Sequence, residues 1–180
     1  MTDILSANYF EIFEVPVSYN VDLEQVQHRY RELQKAVHPD KFANASSQER
    51  RLSMQHTSLI NQAFHALKDP VERAVYLLQL KGQNFTMDNE TTMDASFLME
   101  QMEMREALEY IHSKQDPLDE LDTMLKQVNA RQAGLMNDFE QAYEADDLDA
   151  AREAVRKLQF MMKAKKEIND LAASIEDEMF

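Results

Sequence analysis

Turn-forming residues are scarce in this chain, and their scarcity constrains the fold more than any other feature. Only two glycines and four prolines occur among 180 residues. A β-sheet protein needs frequent turns, which are rich in these residue types, whereas long helices need few of them. The sequence therefore predicts an all-α protein built from long helices.

Helix boundaries in the N-terminal part are marked by capping residues. Asn8 with Glu11, and Ser46 with Glu49, have the spacing of a capping box, in which two side chains satisfy free backbone N–H groups of the first helical turn. A third helix stops before Pro70, and Gly82 suits the C-terminal cap of a fourth. These signals predict four helices within residues 1–82.

The second and third of these helices each have a predicted apolar stripe. Apolar residues three or four positions apart lie on one face of a helix and indicate the side that is buried. The second helix begins after Asp22 and ends at His38-Pro39-Asp40, because proline disfavours helical geometry at the residue before it. The stripes are Leu23, Val26, Tyr30, Leu33 and Val37 on the second helix, and Leu52, His56, Leu59, Ala63 and Leu67 on the third.

A basic face lies opposite the stripe of the second helix and leads directly into the tripeptide His38-Pro39-Asp40. Alone, this pattern also fits a solvated helix face followed by a proline stop, and a three-residue motif can occur by chance. The face consists of His28, Arg31, Lys35 and His38, with Arg29 at one flank.

The surrounding sequence favours a contact site. The order of helices, with "YRELQKAVHPDKF" and "INQAFHALKDPVER", resembles the J domain of DnaJ-type co-chaperones over roughly residues 8–80. The resemblance implies a helical hairpin with the HPD tripeptide in its loop. It also implies docking on a DnaK-class ATPase chaperone and stimulation of ATP hydrolysis by that chaperone. The implied chaperone-binding residues are Arg29, Arg31, Lys35, His38, Pro39, Asp40 and Lys41.

Each of these residue types has a physical role in such docking. The basic side chains would complement an acidic chaperone surface and fix its orientation. Asp40 would pair with a cation of the ATPase, and Pro39 would hold the loop because its φ is locked. His38 would form a hydrogen bond locally or to the partner.

The C-terminal part is predicted to be a separate helical domain. Residues 83–95 are polar and lack helical periodicity, so we expect a linker there. Three helices with short connections follow, and they should pack as an antiparallel three-helix bundle. They begin near Ser96, at Asp116-Pro117 and near Leu148. The predicted organisation is a J domain over 1–82, a linker over 83–95 and a bundle over 96–180.

The helix predicted over 96–113 has two apolar faces, whereas a bundle helix needs one. One face, with Phe97, Met104, Leu108 and Ile111, fits the bundle core. The other carries Leu98, Met99, Met102 and Tyr110 with Glu103 and Glu106, and Phe160 likewise points away from the stripe of the last helix. The second face could seal a domain junction. It could also be an apolar partner site with an acidic rim, which predicts a partner with a basic rim.

The segments "FLMEQMEMREALE" and "VRKLQFMMK" extend the resemblance over nearly the whole chain. They are similar to the HscB family of J-type co-chaperones, which serve bacterial iron–sulfur cluster assembly. This resemblance implies binding of the scaffold protein IscU through the bundle and its delivery to the chaperone HscA. The implied scaffold-binding residues are Leu98, Met99, Met102, Glu103, Glu106 and Phe160. Met102 stands where a leucine is usual, and Tyr110 where an acidic residue is common.

Charge and composition exclude several function classes. The formal net charge is −14, and nine basic against ten acidic residues in 1–82 leave −13 for 83–180. Such acidity argues against nucleic-acid binding. The absence of cysteine excludes thiolate metal sites, and the five histidines lack metal-ligand spacing. Neither a signal peptide nor a membrane span is apparent, so we expect a cytoplasmic protein without cofactor, metal or enzymatic activity.

Two other interpretations remain open from the sequence. The bundle could hold unfolded clients for a DnaK-class chaperone, in which case it would bind many extended apolar peptides. Alternatively, the chain could be a structural helical protein in which the tripeptide is accidental, and no chaperone ATPase would respond to it.

Overall fold

The structure, a computed structural model, describes residues 4–42, 45–86, 92 and 94–179, without the side chains of Pro39 and Met179. The chain divides into two compact units, Met1–Gln83 (unit 1) and Asn84–Phe180 (unit 2). The described backbone contains helices and no strand, so the all-α prediction is confirmed. Its α-helices are α1 (Tyr9–Ile12), α2 (Leu23–Val37), α3 (Ser47–Lys68), α4 (Pro70–Leu80), α5 (Ala95–Glu109), α6 (Pro117–Glu144) and α7 (Leu148–Met179).

Helices α1 and α3 begin at the capping boxes that the sequence indicates. Asn8 and Ser46 each form a complete capping box. The Asp69 carboxylate caps α4 by accepting from the backbone N–H groups of Val71 and Glu72. Gly82 follows α4 with a positive φ of 75°, which a residue without Cβ adopts freely. The core of the unit contains Phe10, Phe13, Val26, Ile60, Leu67, Leu77 and Leu78, each fully buried.

Helices α2 and α3 form an antiparallel hairpin. The Tyr30 ring stacks on Phe64 with centroids 3.9 Å apart, and its hydroxyl donates to Asn61 Oδ1 at 3.0 Å. The Gln34 amide donates to the same Asn61 oxygen at 2.7 Å. Nearer the loop, the Ser53 hydroxyl donates to the carbonyl oxygen of Val37 at 2.7 Å. These contacts fix the register of the two helices up to the end of α2.

The buried face of α3 differs from the predicted stripe. Ala63 and Leu67 are buried as expected, whereas Leu52 is exposed, and the stripe positions His56 and Leu59 are half-buried. The buried side turns instead towards Ser53, Ile60 and Phe64. Helices α1 and α2 pack against this side of α3 and so determine which face is buried. Because α3 carries apolar residues on both sides, its sequence alone is compatible with the burial of either face.

Unit 2 is the predicted three-helix bundle. Lys165 on α7 donates to Asn129 on α6 at 2.8 Å, and Phe139 and Leu158 are fully buried in the core. Arg131 on α6 lies 3.6 Å from Glu100 on α5. Helices α6 and α7 are joined by a short turn and run antiparallel, whereas α5 and α7 are parallel, because Asp94 and Phe97 contact Lys157 and Phe160 in the same order. Helix α5 ends at Glu109 and a 3-10 turn, Ile111–Ser113, continues the chain, so the predicted helix over 96–113 is slightly too long.

The predicted linker over 83–95 contributes contacts to unit 2. Phe85 is fully buried, with the Arg152 guanidinium 5.5 Å from its ring centroid. Thr92 is also buried and donates to Glu153 on α7. Residues 87–91 and 93 of the predicted linker, and Asn44 of the loop before α3, lie outside the described residues.

Candidate functional site

The turn after α2 presents one carboxylate to solvent. His38 caps the helix, and residues Pro39–Phe42 form a 3-10 turn in which Lys41 N–H donates to the His38 carbonyl at 3.0 Å. The Asp40 backbone N–H donates to His38 Nδ1 at 3.3 Å. The Asp40 side chain is 91% exposed, so its carboxylate remains available to a partner.

The turn is anchored from α3. The last carbonyl groups of a helix lack intrahelical partners. Ser53, which is buried, donates its hydroxyl to the Val37 carbonyl oxygen at 2.7 Å, and Thr57 donates to the Ser53 carbonyl at 2.9 Å. Helix α3 thereby holds the residue that immediately precedes His38. No sequence signal identified Ser53, because an isolated serine within a helix is ordinary.

Four of the predicted chaperone-binding residues converge beside this turn. They border a shallow depression of about 610 Å³ on the outer side of α2. Among the described residues, Arg31, Lys35 and Lys41 form no ion pair, although all three are exposed. The depression therefore carries uncompensated positive charge. Its lining residues are Tyr30, Arg31, Gln34, Lys35, His38 and Lys41. We name this surface the basic depression.

Arg29 differs from the other predicted chaperone-binding residues. Its guanidinium lies 2.6 Å from Glu14 and 3.1 Å from Glu32, and the side chain is only 31% exposed. Arg29 does not line the basic depression. Its charge is compensated within unit 1, and its contacts join α2 to the segment after α1.

A second surface lies between α5 and α7 in unit 2. Leu98 and Met102 on α5 and Phe160 on α7 line a groove of about 420 Å³. Phe160 is half-buried and packs edge-on against the buried Phe97 ring, with centroids 5.8 Å apart. Met102 is 72% exposed at the mouth. The full lining is Leu98, Gln101, Met102, Met104, Arg105, Leu108, Phe160, Lys163, Ala164 and Glu167. We name this surface the α5–α7 groove.

The structure does not bring every predicted scaffold-binding residue into the α5–α7 groove. Met99 is 63% exposed, and Met99 and Glu106 lie on α5 outside the groove lining. Glu103 borders a different cavity of about 430 Å³ on the α6 side of α5. The predicted acidic rim therefore lies outside the groove, with Glu106 on the exposed crest of α5 and Glu103 on the far flank, which faces α6. The groove lining carries Arg105 and Lys163 instead, which the sequence analysis did not identify.

One ion pair joins the start of α5 to α7 next to the α5–α7 groove. Asp94 accepts from the N–H groups of Ser96 and Phe97 and so caps α5. Lys157 Nζ on α7 lies 2.6 Å from the Asp94 carboxylate and 5.6 Å from the Phe97 ring centroid. These hydrogen bonds, with Lys157 the foremost, hold the pKa of Asp94 well below its usual range. An aspartate before a predicted helix is a capping signal that could have been found from the sequence; its pairing with α7 could not.

The described residues contain no group of three His, Asp or Glu side chains arranged to hold a metal ion. Within the same residues, no helix combines the length and the apolarity that crossing a bilayer requires.

Comparison with protein families finds two matches in chain order. The DnaJ domain family matches residues 8–76, and the family described as HSCB C-terminal oligomerisation domain matches residues 93–169. The first match contains the basic depression and its turn. The second contains the α5–α7 groove.

Individual relatives match along almost the full chain. The co-chaperone protein HscB homolog of Shewanella halifaxensis is 45% identical over 180 residues, which cover 96% of this chain and 99% of that protein. Among solved structures, chaperone HscB from Vibrio cholerae has a TM-score of 0.85 and 37% identity, covering 97% of this chain and all of that one. The crystal structure of human co-chaperone protein HscB has a TM-score of 0.79 and 30% identity, with 91% and 81% covered.

Proposed function

The chain belongs to the HscB family of co-chaperones, and from this premise we propose that it binds the iron–sulfur scaffold IscU, delivers it to the chaperone HscA and stimulates ATP hydrolysis by HscA. In this proposal it acts in the cytoplasm and assists the maturation of iron–sulfur proteins. It has no catalytic chemistry of its own, and its effect comes from bringing two partners together.

The observation that carries the proposal is the presence of two exposed surfaces of different chemistry, one on each unit. The basic depression beside the HPD turn is bordered by three exposed cations, Arg31, Lys35 and Lys41, that form no ion pair with another described residue. The α5–α7 groove is lined mainly by apolar side chains, including exposed methionine. A protein that couples two different partners needs two such separate surfaces.

The chaperone would dock on the basic depression. Arg31, Lys35 and Lys41 are free to complement an acidic surface of the ATPase, which accelerates association and fixes orientation. Asp40 would pair with a cation of the ATPase, because its carboxylate is almost fully exposed. His38 would support this arrangement through its hydrogen bond with the Asp40 backbone, and Pro39 through its restricted φ. Arg29 would stabilise the position of α2 through its ion pairs with Glu14 and Glu32.

The scaffold would dock on unit 2. Leu98, Met102 and Phe160 would receive an apolar side chain of IscU, since desolvated apolar anchors supply most of the energy of such interfaces. Met99 on the crest of α5 would extend the apolar contact. Glu103 and Glu106 would face basic groups of the scaffold farther from the groove.

Exposed methionines also favour one alternative. Met99 and Met102 are flexible and can adapt to many apolar partners. On that basis unit 2 would hold unfolded clients in general for a DnaK-class chaperone.

A matched pair of methionine substitutions tests the scaffold site. Met102 is 72% exposed on α5 and Met54 is 65% exposed on α3 of unit 1, so neither truncation should alter the core. We expect Met102→Ala to weaken IscU binding about 10-fold, as for an interface anchor, and Met54→Ala to leave it unchanged. Isothermal titration calorimetry with purified IscU measures both. Equal affinity of the two variants would contradict the proposed scaffold site.

The same titration with a permanently unfolded, carboxymethylated protein separates the two candidate functions. The adaptor should bind folded IscU and show no measurable heat with the unfolded chain. Binding of the unfolded chain as tightly as IscU would favour the client-holding alternative.

A further inference from the structure

Two cations line the α5–α7 groove in a unit that is otherwise strongly acidic. Residues 84–180 contain ten basic and 23 acidic residues. Nevertheless, Arg105 on α5 and Lys163 on α7 both border the groove, and both are exposed. Two of the ten cations of this acidic unit therefore border the same groove.

Neither cation has a carboxylate partner among the described residues. Two other basic residues near this part of the bundle do: Lys157 pairs with Asp94 at 2.6 Å, and Arg131 lies 3.6 Å from Glu100. Glu167 also lines the groove, one helical turn after Lys163, yet no ion pair of 4.0 Å or less joins them. A single glutamate could in any case neutralise only one of the two charges.

The Gln101 amide is a third hydrogen-bond donor without a described partner beside the groove. The side chain of Gln101 borders the groove, and its Nε2 is buried without a hydrogen-bond acceptor in the described structure. A buried donor without a partner is costly, and natural proteins rarely leave one unsatisfied. Gln101 lines both the α5–α7 groove and the cavity on the α6 side of α5, and it adds an unsatisfied donor to a lining that also holds Arg105 and Lys163.

Charge is arranged differently on the rest of α5. Glu106 lies outside the groove lining, and Glu103 borders the cavity on the α6 side. Helix α5 is thus positive where it faces α7 and negative on its crest and far flank. A partner surface that covers both regions would be attracted in one orientation and repelled in the reverse one.

We infer that the α5–α7 groove takes an acidic segment of the scaffold, in which an apolar side chain packs between Leu98, Met102 and Phe160 while a nearby Asp or Glu carboxylate binds Arg105 and Lys163. This inference rests on the proposed function and names the partner chemistry of the same site. Arg105 can hold a carboxylate through two parallel N–H donors, whereas Lys163 adds a point charge from the opposite wall. The groove thereby favours an apolar side chain that has an acidic residue next to it. Glu103 and Glu106, outside the groove, favour a basic group of the scaffold.

Charge reversal with a matched control tests the inference. We expect Arg105→Glu and Lys163→Glu each to weaken IscU binding about 10-fold, since each removes an attraction and adds a repulsion to the bound carboxylate. Lys166→Glu makes the same change in net charge at an exposed position of α7 outside the groove, and it should change the affinity less than about twofold. Calorimetric titration with IscU measures all three variants beside the wild type.

The outcomes distinguish the inference from the proposed function. If Arg105→Glu and Lys163→Glu bind like Lys166→Glu, or bind more tightly than the wild type, the acidic segment is rejected. The scaffold site itself would still stand if Met102→Ala weakens binding in the same assay. Failure of the wild type to bind IscU would reject both.

Salt gives an independent readout that a folding defect would not produce. The affinity difference between the wild type and Arg105→Glu should shrink as the ionic strength rises from about 0.05 M to about 0.5 M, because salt screens exposed charges. A difference that is independent of salt would contradict a carboxylate contact.

Discussion

Arg29 and Arg31 are close in the sequence, yet their charges have different environments. Arg29 lies between Glu14 and Glu32 and is mostly covered, whereas Arg31 borders the basic depression and forms no ion pair with another described residue. The helical periodicity placed both near the basic face. It could not reveal the pairing of Arg29 with Glu14, because that contact joins α2 to a segment 15 positions earlier in the chain.

This difference predicts that Arg29→Ala and Lys35→Ala affect different properties. Loss of the Arg29 ion pairs should lower the free energy of unfolding by roughly 0.5 kcal/mol, with maximal stimulation of HscA retained. Lys35→Ala should leave stability nearly unchanged and raise the concentration needed for half-maximal stimulation about threefold, an effect that grows at low salt. Urea unfolding and ATPase titrations measure the two effects. The reverse assignment of effects would contradict the proposed basic contact surface.

The exposed Asp40 carboxylate illustrates what the sequence can predict at this scale. Proline at position 39 ends α2, so the next residue is displayed in a turn whatever the tertiary structure. The buried hydrogen bond from Ser53 that anchors this turn depends on how α3 packs, so it could not be predicted from the sequence.

At the element scale, the relation between α5 and α7 shapes the α5–α7 groove. Asp94 caps α5 and pairs with Lys157 on α7, while Phe97 one turn later contacts Phe160 across the same interface. These two contacts fix α5 in the position that places Leu98 and Met102 beside Phe160. The ion pair therefore helps to hold the two walls of the α5–α7 groove together, although neither charged residue lines the groove.

The Asp94–Lys157 pair predicts an acid-sensitive contribution to stability. The folded-state pKa of Asp94 lies below its usual value of 3.8, so the stabilisation is complete above that pH and is lost as the pH falls below it. We expect Asp94→Asn, which can still cap α5, to unfold at a lower temperature than the wild type at pH 7. The difference should shrink progressively as the pH falls below 3.8, as followed by circular dichroism.

Asp122→Asn is the matched control for this measurement. Asp122 pairs with Lys126 at the same distance of 2.6 Å, but on one exposed face of α6. Its removal should have almost no effect on unfolding at any pH, since exposed pairs contribute little. Equal effects of the two substitutions would contradict a joining role for Asp94. The Asp94 variant should also bind IscU more weakly, whereas the Asp122 variant should not.

The residues at which helices start could be predicted from the sequence, whereas the buried face of each helix could be predicted only in part. The caps at Asn8, Asp22 and Ser46 act through bonds within a few residues, so sequence alone identifies them. The buried side of α3 depends on α1 and α2, and the sequence indicated Leu52 where the structure buries Ser53. Helix α5 shows the opposite case. Its two apolar faces predicted a core side and a second side that either seals a domain junction or meets a partner. Phe97 on the first side is buried, and Met102 on the second is exposed.

At the scale of the whole molecule, the two units differ in charge. The surplus of acidic residues lies almost entirely in 83–180, while residues 1–82 are nearly neutral and concentrate their unpaired cations near the HPD turn. This separation favours one partner for each unit. The overall charge was evident from the sequence, whereas the location of Arg105 and Lys163 in a groove required the packing of α5 on α7.

The most direct test of the account is steady-state ATP hydrolysis by HscA, measured with this protein and IscU added separately and together. The account predicts a stimulation by both proteins that exceeds the sum of their separate effects. Asp40→Asn should abolish the stimulation due to this protein, and Leu98→Ala/Phe160→Ala should remove only the synergy with IscU. Circular dichroism controls for folding. Full synergy in either variant, or no stimulation by the wild type, would contradict the two-surface account.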